Sequence, residues 1–90
     1  MSRDLYARMG NELRSLFKEL ESLDPIKVQE VRWQMDRIVH TAEEIGGPLK
    51  DEADRLKTEL SRFLEHPRDT KAKKKLQEHA LRLEQETREL

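Results

Sequence analysis

Apolar residues recur at alternating steps of three and four along residues 24–47, which read DPIKVQEVRWQMDRIVHTAEEIGG. This spacing places them on one face of an α-helix and follows a heptad pattern. The stretch opens on Asp24-Pro25 and closes on Gly46-Gly47, residue types that begin and end helices, with Asp24 as the expected N-cap. It predicts an amphipathic helix over about residues 25–45, with an apolar face of Val28, Val31, Met35, Ile38, Ala42 and Ile45.

Three further segments show the same alternation, over about residues 2–21, 48–65 and 69–89. The apolar face of the first consists of Tyr6, Met9, Leu13, Leu16, Leu20 and Leu23. That of the third consists of Leu49, Ala53, Leu56, Leu60 and Phe63. The fourth is weaker, with Leu76, Ala80, Leu83, Thr87 and Leu90, preceded by Lys73 where an apolar residue is expected. Proline and glycine at the breaks separate the four segments.

The pattern predicts an all-α fold, an antiparallel bundle of four amphipathic helices with heptad-like packing, as one domain of residues 1–90. Hydrophobic residues make up 34% of the chain and charged residues 41%, so the core of a single copy is thin. Self-association would enlarge that core, and we therefore expect a homo-oligomer, preferably a dimer. Three packed helices with the fourth projecting onto a neighbouring subunit are an alternative.

The fourth segment carries its charges in the order that opposes the helix dipole. It begins with a basic cluster and ends with acidic residues: Arg68, Lys71, Lys73, Lys74 and Lys75, then Glu84, Glu86 and Glu89. In an up-down-up-down bundle the basic cluster would lie beside Glu19, Glu21 and Asp24, and the acidic end beside Arg3 and Arg8. We therefore expect an end-to-end charge match within the chain.

The basic cluster also has an alternative function, since lysine and arginine side chains bind phosphates and could make the protein a nucleic-acid-associated factor. No aromatic residue for base stacking is interleaved in the cluster, and an acidic tail follows it. The net charge of the chain is −1. We therefore do not expect nucleic acid as a partner.

The remaining composition points to the cytoplasm. The chain contains no cysteine, which fits a reducing compartment. The N-terminal sequence MSRDLYARMG lacks the apolar core of a signal peptide, and no apolar run has the roughly 18 residues of a membrane span. We expect no membrane contact.

The histidines give no sign of catalysis or metal binding. His40, His66 and His79 are not spaced as helical metal ligands, and none belongs to a Glu-x-x-His pair. We interpret all three as solvated side chains. No nucleophile motif or phosphate-binding loop is present either, so we predict no catalytic residue, no metal, no cofactor and no enzymatic activity.

A histidine phosphotransfer role for His40 is a further alternative. An exposed histidine on a four-helix bundle is similar to the layout of histidine phosphotransfer domains. In that family a lysine and a small residue follow the histidine at three and four residues. Here Glu43 and Glu44 occupy those positions, and two carboxylates would repel a phosphoryl group.

Ile26, Trp33 and His40 repeat every seven residues on the side of the second segment opposite its apolar face. We call these three residues the outer stripe; Arg32 and Val39 flank it. Since a solvent-facing position gives no reason for isoleucine and tryptophan, either Trp33 is partly covered within its own chain or the stripe is an association surface. We predict the latter, with a second copy or another helical protein as partner.

Overall fold

A computed structural model of the protein describes residues 2–22 and 25–89. In that part of the chain, α1 spans Ser2–Glu21, α2 spans Val28–Ile45, α3 spans Pro48–Glu65 and α4 spans Thr70–Glu89. A 3₁₀ turn, Pro25–Lys27, leads into α2, so the second α-helix begins three residues later than the pattern predicts. The described residues contain no strand, and the predicted all-α fold is confirmed.

The four helices pack in a ring. The α1 helix contacts α2 and α4, and α3 contacts the same two helices. The interhelical connections are short, and the bundle extends 39 × 21 × 17 Å. Because α4 packs along both α1 and α3 of its own chain, the alternative of three packed helices with a projecting fourth is wrong.

Local chemistry explains where α2 and α3 end. Gly46 and Gly47 both have positive φ angles, 77° and 67°, which glycine adopts at little cost. The Gly46 N–H donates to the carbonyl oxygen of Ala42 at 2.8 Å, and Pro48 then occupies the first turn of α3. At the end of α3 the His66 N–H donates to the last turn, and Pro67 follows.

Asp69 caps α4. Its Oδ1 accepts hydrogen bonds from the backbone N–H groups of Lys71 and Ala72, each at 3.1 Å, which satisfies two donors that the first turn leaves open. The cap predicted at Asp24 lies outside the described residues. The residue that precedes α2 is Lys27, whose side chain makes no capping hydrogen bond.

The predicted apolar faces form the core. Among the described residues sixteen hydrophobic side chains are buried, and all of them belong to those faces: Met9, Leu13, Leu16, Leu20, Val31, Met35, Ile38, Ala42, Leu49, Ala53, Leu56, Leu60, Phe63, Leu76, Ala80 and Leu83. The predicted positions Tyr6, Val28 and Ile45 are half-buried at the ends of the bundle. Leu23 and Leu90 lie outside the described residues.

Candidate functional site

Trp33 and His40 of the outer stripe lie on a face of α2 that no other helix covers, and Ile26 lies in the 3₁₀ turn that leads into α2. Among the described residues, Ile26 is 87% exposed and Trp33 60% exposed, and the His40 side chain is 75% exposed. The neighbours of α2 are α1 on one side and α3 on the other, so the stripe runs along the outside of the bundle. Partial coverage of Trp33 within its own chain therefore leaves most of this side chain in water.

The two residues that flank the stripe differ from each other. Arg32 is exposed, whereas Val39 is half-buried and packs against the core. Val39 therefore contributes to the bundle as well as to its surface. The sequence pattern placed both beside the stripe, but only the packing of the neighbouring helices against α2 shows which of them is covered.

Ion pairs tie the borders of the stripe to the neighbouring helices. On the α3 side, Asp36 Oδ1 lies 3.4 Å from Lys57 Nζ. On the α1 side, Glu44 Oε2 lies 3.8 Å from Arg8 Nη1, and Glu44 Oε1 lies 3.6 Å from His40 Nε2. These side chains remain largely exposed, so the pairs are weak. They show that Asp36 lies on the side of α2 next to α3 and that Glu44 is within reach of α1.

A groove of about 470 Å³ runs between α1 and α2, beside the stripe. In it, the buried Thr41 hydroxyl donates to Glu12 Oε1 at 3.0 Å. Burial raises the pKa of the Glu12 carboxyl, while the hydrogen bond from Thr41 and the charges of Arg8 and Arg37 oppose that rise. The groove mixes acidic and basic side chains, and its half-buried Glu12 carboxylate already accepts the hydrogen bond from Thr41.

His79 was predicted to be solvated, and this prediction is wrong. The side chain is 7% exposed and lies between two carboxylates of α3. Its Nε2 is 2.8 Å from Glu52 Oε2, and its Nδ1 is 3.0 Å from Glu59 Oε1. The hydrogen bond from His79 lowers the pKa of the Glu52 carboxyl. Since a neutral imidazole carries one N–H, both contacts can be N–H donations to carboxylates only in the imidazolium form.

The sequence carries a signal for this arrangement of His79 between Glu52 and Glu59, which we call the His79 clamp. Glu52 and Glu59 are seven residues apart and so share one face of α3, next to its apolar face. His79 directly precedes Ala80, one of the predicted core positions of α4. Two glutamates on one face of a helix and a histidine beside the apolar face of its neighbour indicate such a pairing, which residue spacing within single helices does not show.

The acidic end of α4 is neutralised differently from the prediction. Glu84 is 5% exposed, and its Oε1 accepts from Arg14 Nη2 of α1 at 2.9 Å and from Arg88 Nη2 at 2.6 Å. Arg3 and Arg8, the expected partners, form no ion pair with this end among the described residues. The match occurs in the middle of α1, one helical turn beyond Gly10, where α1 and α4 approach closely.

The basic cluster is not neutralised as predicted. Within the described residues, none of its five cations lies within ion-pair distance of a carboxylate, and Glu19 pairs instead with Lys27, at 3.6 Å. Four of the five side chains are exposed and Lys73 is half-buried. Asp24, the third expected partner, lies outside the described residues. The cluster therefore presents unpaired positive charge at the start of α4.

The structure does not gather the chemistry-bearing residues into one site. His40 lies on the outer face of α2, His66 at the end of α3 and His79 between α3 and α4. In residues 2–22 and 25–89, no group of histidine and acidic side chains has the geometry to hold a metal ion. Next to His40 stands the Glu44 carboxylate, which opposes the approach of a phosphoryl group.

Comparisons with family models, with curated proteins and with solved structures found no match to this chain. None of the helices in the described part combines the length and apolar content needed to cross a membrane.

Proposed function

We propose that the protein is a small, non-enzymatic helical interaction module of the cytoplasm that associates with itself through the outer face of α2. The observation that carries this proposal is the 60% exposure of Trp33 on a helix that otherwise presents polar side chains to solvent. Tryptophan offers the largest apolar surface of any side chain and is enriched at the centres of protein interfaces.

The surroundings of Trp33 support an interface rather than an isolated exposed residue. Ile26 precedes Trp33 by seven residues and is exposed in the 3₁₀ turn that leads into α2. The charged side chains of α2 that lie next to α1 and α3 form a rim around Trp33. An apolar centre with a polar rim is the usual anatomy of an interface between proteins. Elsewhere in the described chain, the only exposed large hydrophobic side chain is Leu81 on α4, and at 41% it is less exposed than Trp33.

A second copy is the occupant that the chain itself favours. The outer face of α2 carries both signs of charge, with Glu30 and Asp36 against Arg32 and Arg37. A surface of mixed charge can complement itself about a two-fold axis, whereas a surface of one sign repels its copy. Pairing two thin bundles also buries apolar area that each leaves in water.

The test is the mass in solution of the Trp33→Ala variant, measured by sedimentation equilibrium. We expect a wild-type dimer and a dissociation constant at least about thirtyfold higher in the variant, since truncation of a central hot-spot residue costs about 2 kcal/mol or more. Leu81→Ala is the matched control, because it removes another exposed hydrophobic side chain from a helix that does not border α2, and it should leave the mass unchanged.

The single tryptophan supplies a second readout. Its fluorescence emission should shift to shorter wavelength with increasing protein concentration, since association removes the indole from water. A wild-type chain that sediments as a monomer at all concentrations, with unshifted emission, would contradict self-association; stoichiometric binding of a different helical protein to this face would then identify the other occupant.

A second candidate function is nucleic-acid binding by the basic cluster, which we propose because the expected internal neutralisation is missing. Lysine side chains that lack carboxylate partners are available to phosphates. We expect weak binding of double-stranded DNA or RNA at low salt. Lys74→Gln should reduce the salt dependence by about one counterion, whereas Lys50→Gln, an exposed lysine at the other end of the bundle, should not. Charge interactions are screened least at low ionic strength, so absence of binding in about 20 mM salt would rule this function out.

A further inference from the structure

We infer that the groove between α1 and α4 is a binding site for a small organic anion, in which a carboxylate or phosphate is joined to a flat apolar group. The groove has a volume of about 530 Å³, which is within the range of small-molecule sites. It follows the seam between α1 and α4, whereas the association face proposed above lies on the outside of α2. The two proposals are therefore independent of each other.

Two arginine side chains from different helices converge at one end of this groove. Nitrogen atoms of Arg14 on α1 and Arg88 on α4 lie 2.9 and 2.6 Å from the same atom, Oε1 of Glu84. The two guanidinium groups are therefore neighbours, and the carboxylate that they share balances only one of their two charges. The other charged side chains that line the groove, Arg3 and Glu89, are opposite in sign. One positive charge is thus left at the Arg14 end for an external anion.

The two arginines are held in place from the inside of the bundle. Glu84 is 5% exposed and Thr87 is 4% exposed, and both line the groove. The Arg14 and Arg88 side chains remain 50% and 58% exposed. A guanidinium group has five N–H donors, and the contact with Glu84 uses only some of them. Because Glu84 already restricts both side chains, an anion that accepts from them costs less conformational entropy.

Small and aromatic residues of α1 line the rest of the groove. Tyr6, Ala7 and Gly10 lie on the same face of α1 as Arg14. Ala7 and Gly10 add little bulk, so a flat apolar group can lie along α1 beside the half-buried ring of Tyr6. Ala7 precedes Arg14 by seven residues, about 10 Å of helix, which is comparable to the length of a naphthalene ring that carries an acidic group. This spacing indicates an anion with an apolar body rather than a free inorganic ion.

Naphthoate and naphthyl phosphate are the probes, and naphthalene methanol is their neutral analogue. In NMR titrations at low salt we expect both anions to bind with a dissociation constant on the order of 1 mM or lower. The neutral analogue should bind at least about tenfold more weakly, because it cannot form charge-assisted hydrogen bonds. Absence of binding by both anions at millimolar concentration, or equal binding of the neutral analogue, would overturn the proposal.

The single tyrosine and the single tryptophan of the chain locate the bound probe. The ring resonances of Tyr6 should shift during the titration, because this side chain lines the groove. The indole N–H resonance of Trp33, on the outside of α2, should not shift. A shift at Trp33 without one at Tyr6 would place the probe on the association face and overturn the assignment to this groove.

Arginine substitutions test the anion contacts. Arg14→Gln and Arg88→Gln should each raise the dissociation constant of both anions about tenfold or more, whereas Arg14→Lys, which keeps the charge but not the planar fork, should have a smaller effect. Arg62→Gln is the matched control, because it removes an exposed arginine of α3, and it should leave the dissociation constant unchanged. Unchanged affinity in both groove variants would contradict the proposal.

Ala7→Phe tests the apolar part of the groove without removing a partner of Glu84. Ala7 is exposed, so the substitution keeps the core and every charge of the groove, and the new ring occupies the space of the apolar group. Binding of both anions should be lost, and retained affinity would overturn the placement of the ligand. Circular dichroism establishes that each variant is folded; if Arg14→Gln unfolds the bundle, Ala7→Phe and Arg88→Gln still decide the question.

Discussion

The helices α3 and α4 are similar in length, yet they bury different kinds of side chain. The buried residues of α3 are all hydrophobic: Leu49, Ala53, Leu56, Leu60 and Phe63. Those of α4 include equal numbers of polar and apolar residues: Leu76, Ala80 and Leu83 with His79, Glu84 and Thr87. The first helix is held mainly by removal of apolar area from water, whereas the second also requires partners for its polar groups.

Each buried polar group of α4 has such a partner. His79 lies between two glutamates of α3, and Glu84 accepts from Arg14 of α1. The Thr87 hydroxyl donates to the carbonyl oxygen of Glu84 at 2.6 Å. The Thr87 bond lies within α4, whereas the contacts of His79 and Glu84 join α4 to α3 and α1. We interpret these two interhelical contacts as fixing the position of α4, a helix that its own charges do not favour.

The largest effect on stability should come from the apolar buried residues of α3. Phe63 of α3 is 2% exposed, and Phe63→Ala should lower the free energy of unfolding by about 3–5 kcal/mol, because it leaves a cavity in the core. Urea unfolding followed by circular dichroism measures this. Leu64→Ala, a half-buried neighbour on the same turn, should cost clearly less; equal costs would show that burial does not decide the stability of α3.

The second-largest effect should come from a buried polar residue of α4. His79→Ala removes two hydrogen bonds and leaves two carboxylates of α3 facing each other, and should cost about 1–3 kcal/mol. His66→Ala, at an exposed position after α3, is the control and should change the free energy of unfolding by less than about 0.5 kcal/mol. If both variants unfolded at the same urea concentration, the clamp around His79 would have no role in holding α4.

The same contrast explains how much of the molecule could be predicted from the sequence. The apolar spacing predicts the helices and every hydrophobic residue that is buried in the described part of the chain, because any bundle must cover the periodic apolar face of each helix. The partners of His79 and Glu84 depend on the rotation and height of α4 against its neighbours, which the spacing leaves open. The outer stripe is exposed because Ile26 and Trp33 lie opposite a strong apolar face, but exposure does not identify what binds there.

A smaller effect is expected at Gly10, where α1 and α4 approach each other closely. A Cβ atom on Gly10 would lie 3.0 Å from Thr87 Oγ1, and this hydroxyl is buried and hydrogen-bonded. Gly10→Ala should therefore be destabilising by about 0.5–1 kcal/mol, although alanine is by about 1 kcal/mol the better helix residue. In a Thr87→Ala background the same substitution should be stabilising, and a double-mutant cycle measures the difference. If Gly10→Ala changed the free energy of unfolding equally in both backgrounds, the contact with Thr87 would not be the reason for glycine at position 10.

The smallest effect concerns acid stability, where two carboxyls act with opposite sign. The pKa of Glu52 is lowered from 4.5 by His79, so its contribution to stability is present above that pH and is lost as the pH falls through the lowered value. The pKa of Glu12 is raised from 4.5 by burial, so its contribution is present below pH 4.5 and is lost as the pH rises through the raised value. Between pH 6 and pH 3, Glu52→Gln should therefore make the loss of stability less steep, and Glu12→Gln should make it steeper. Urea midpoints at each pH measure both slopes; slopes that change in the same direction would contradict the assignment of His79 and burial as the two opposing causes.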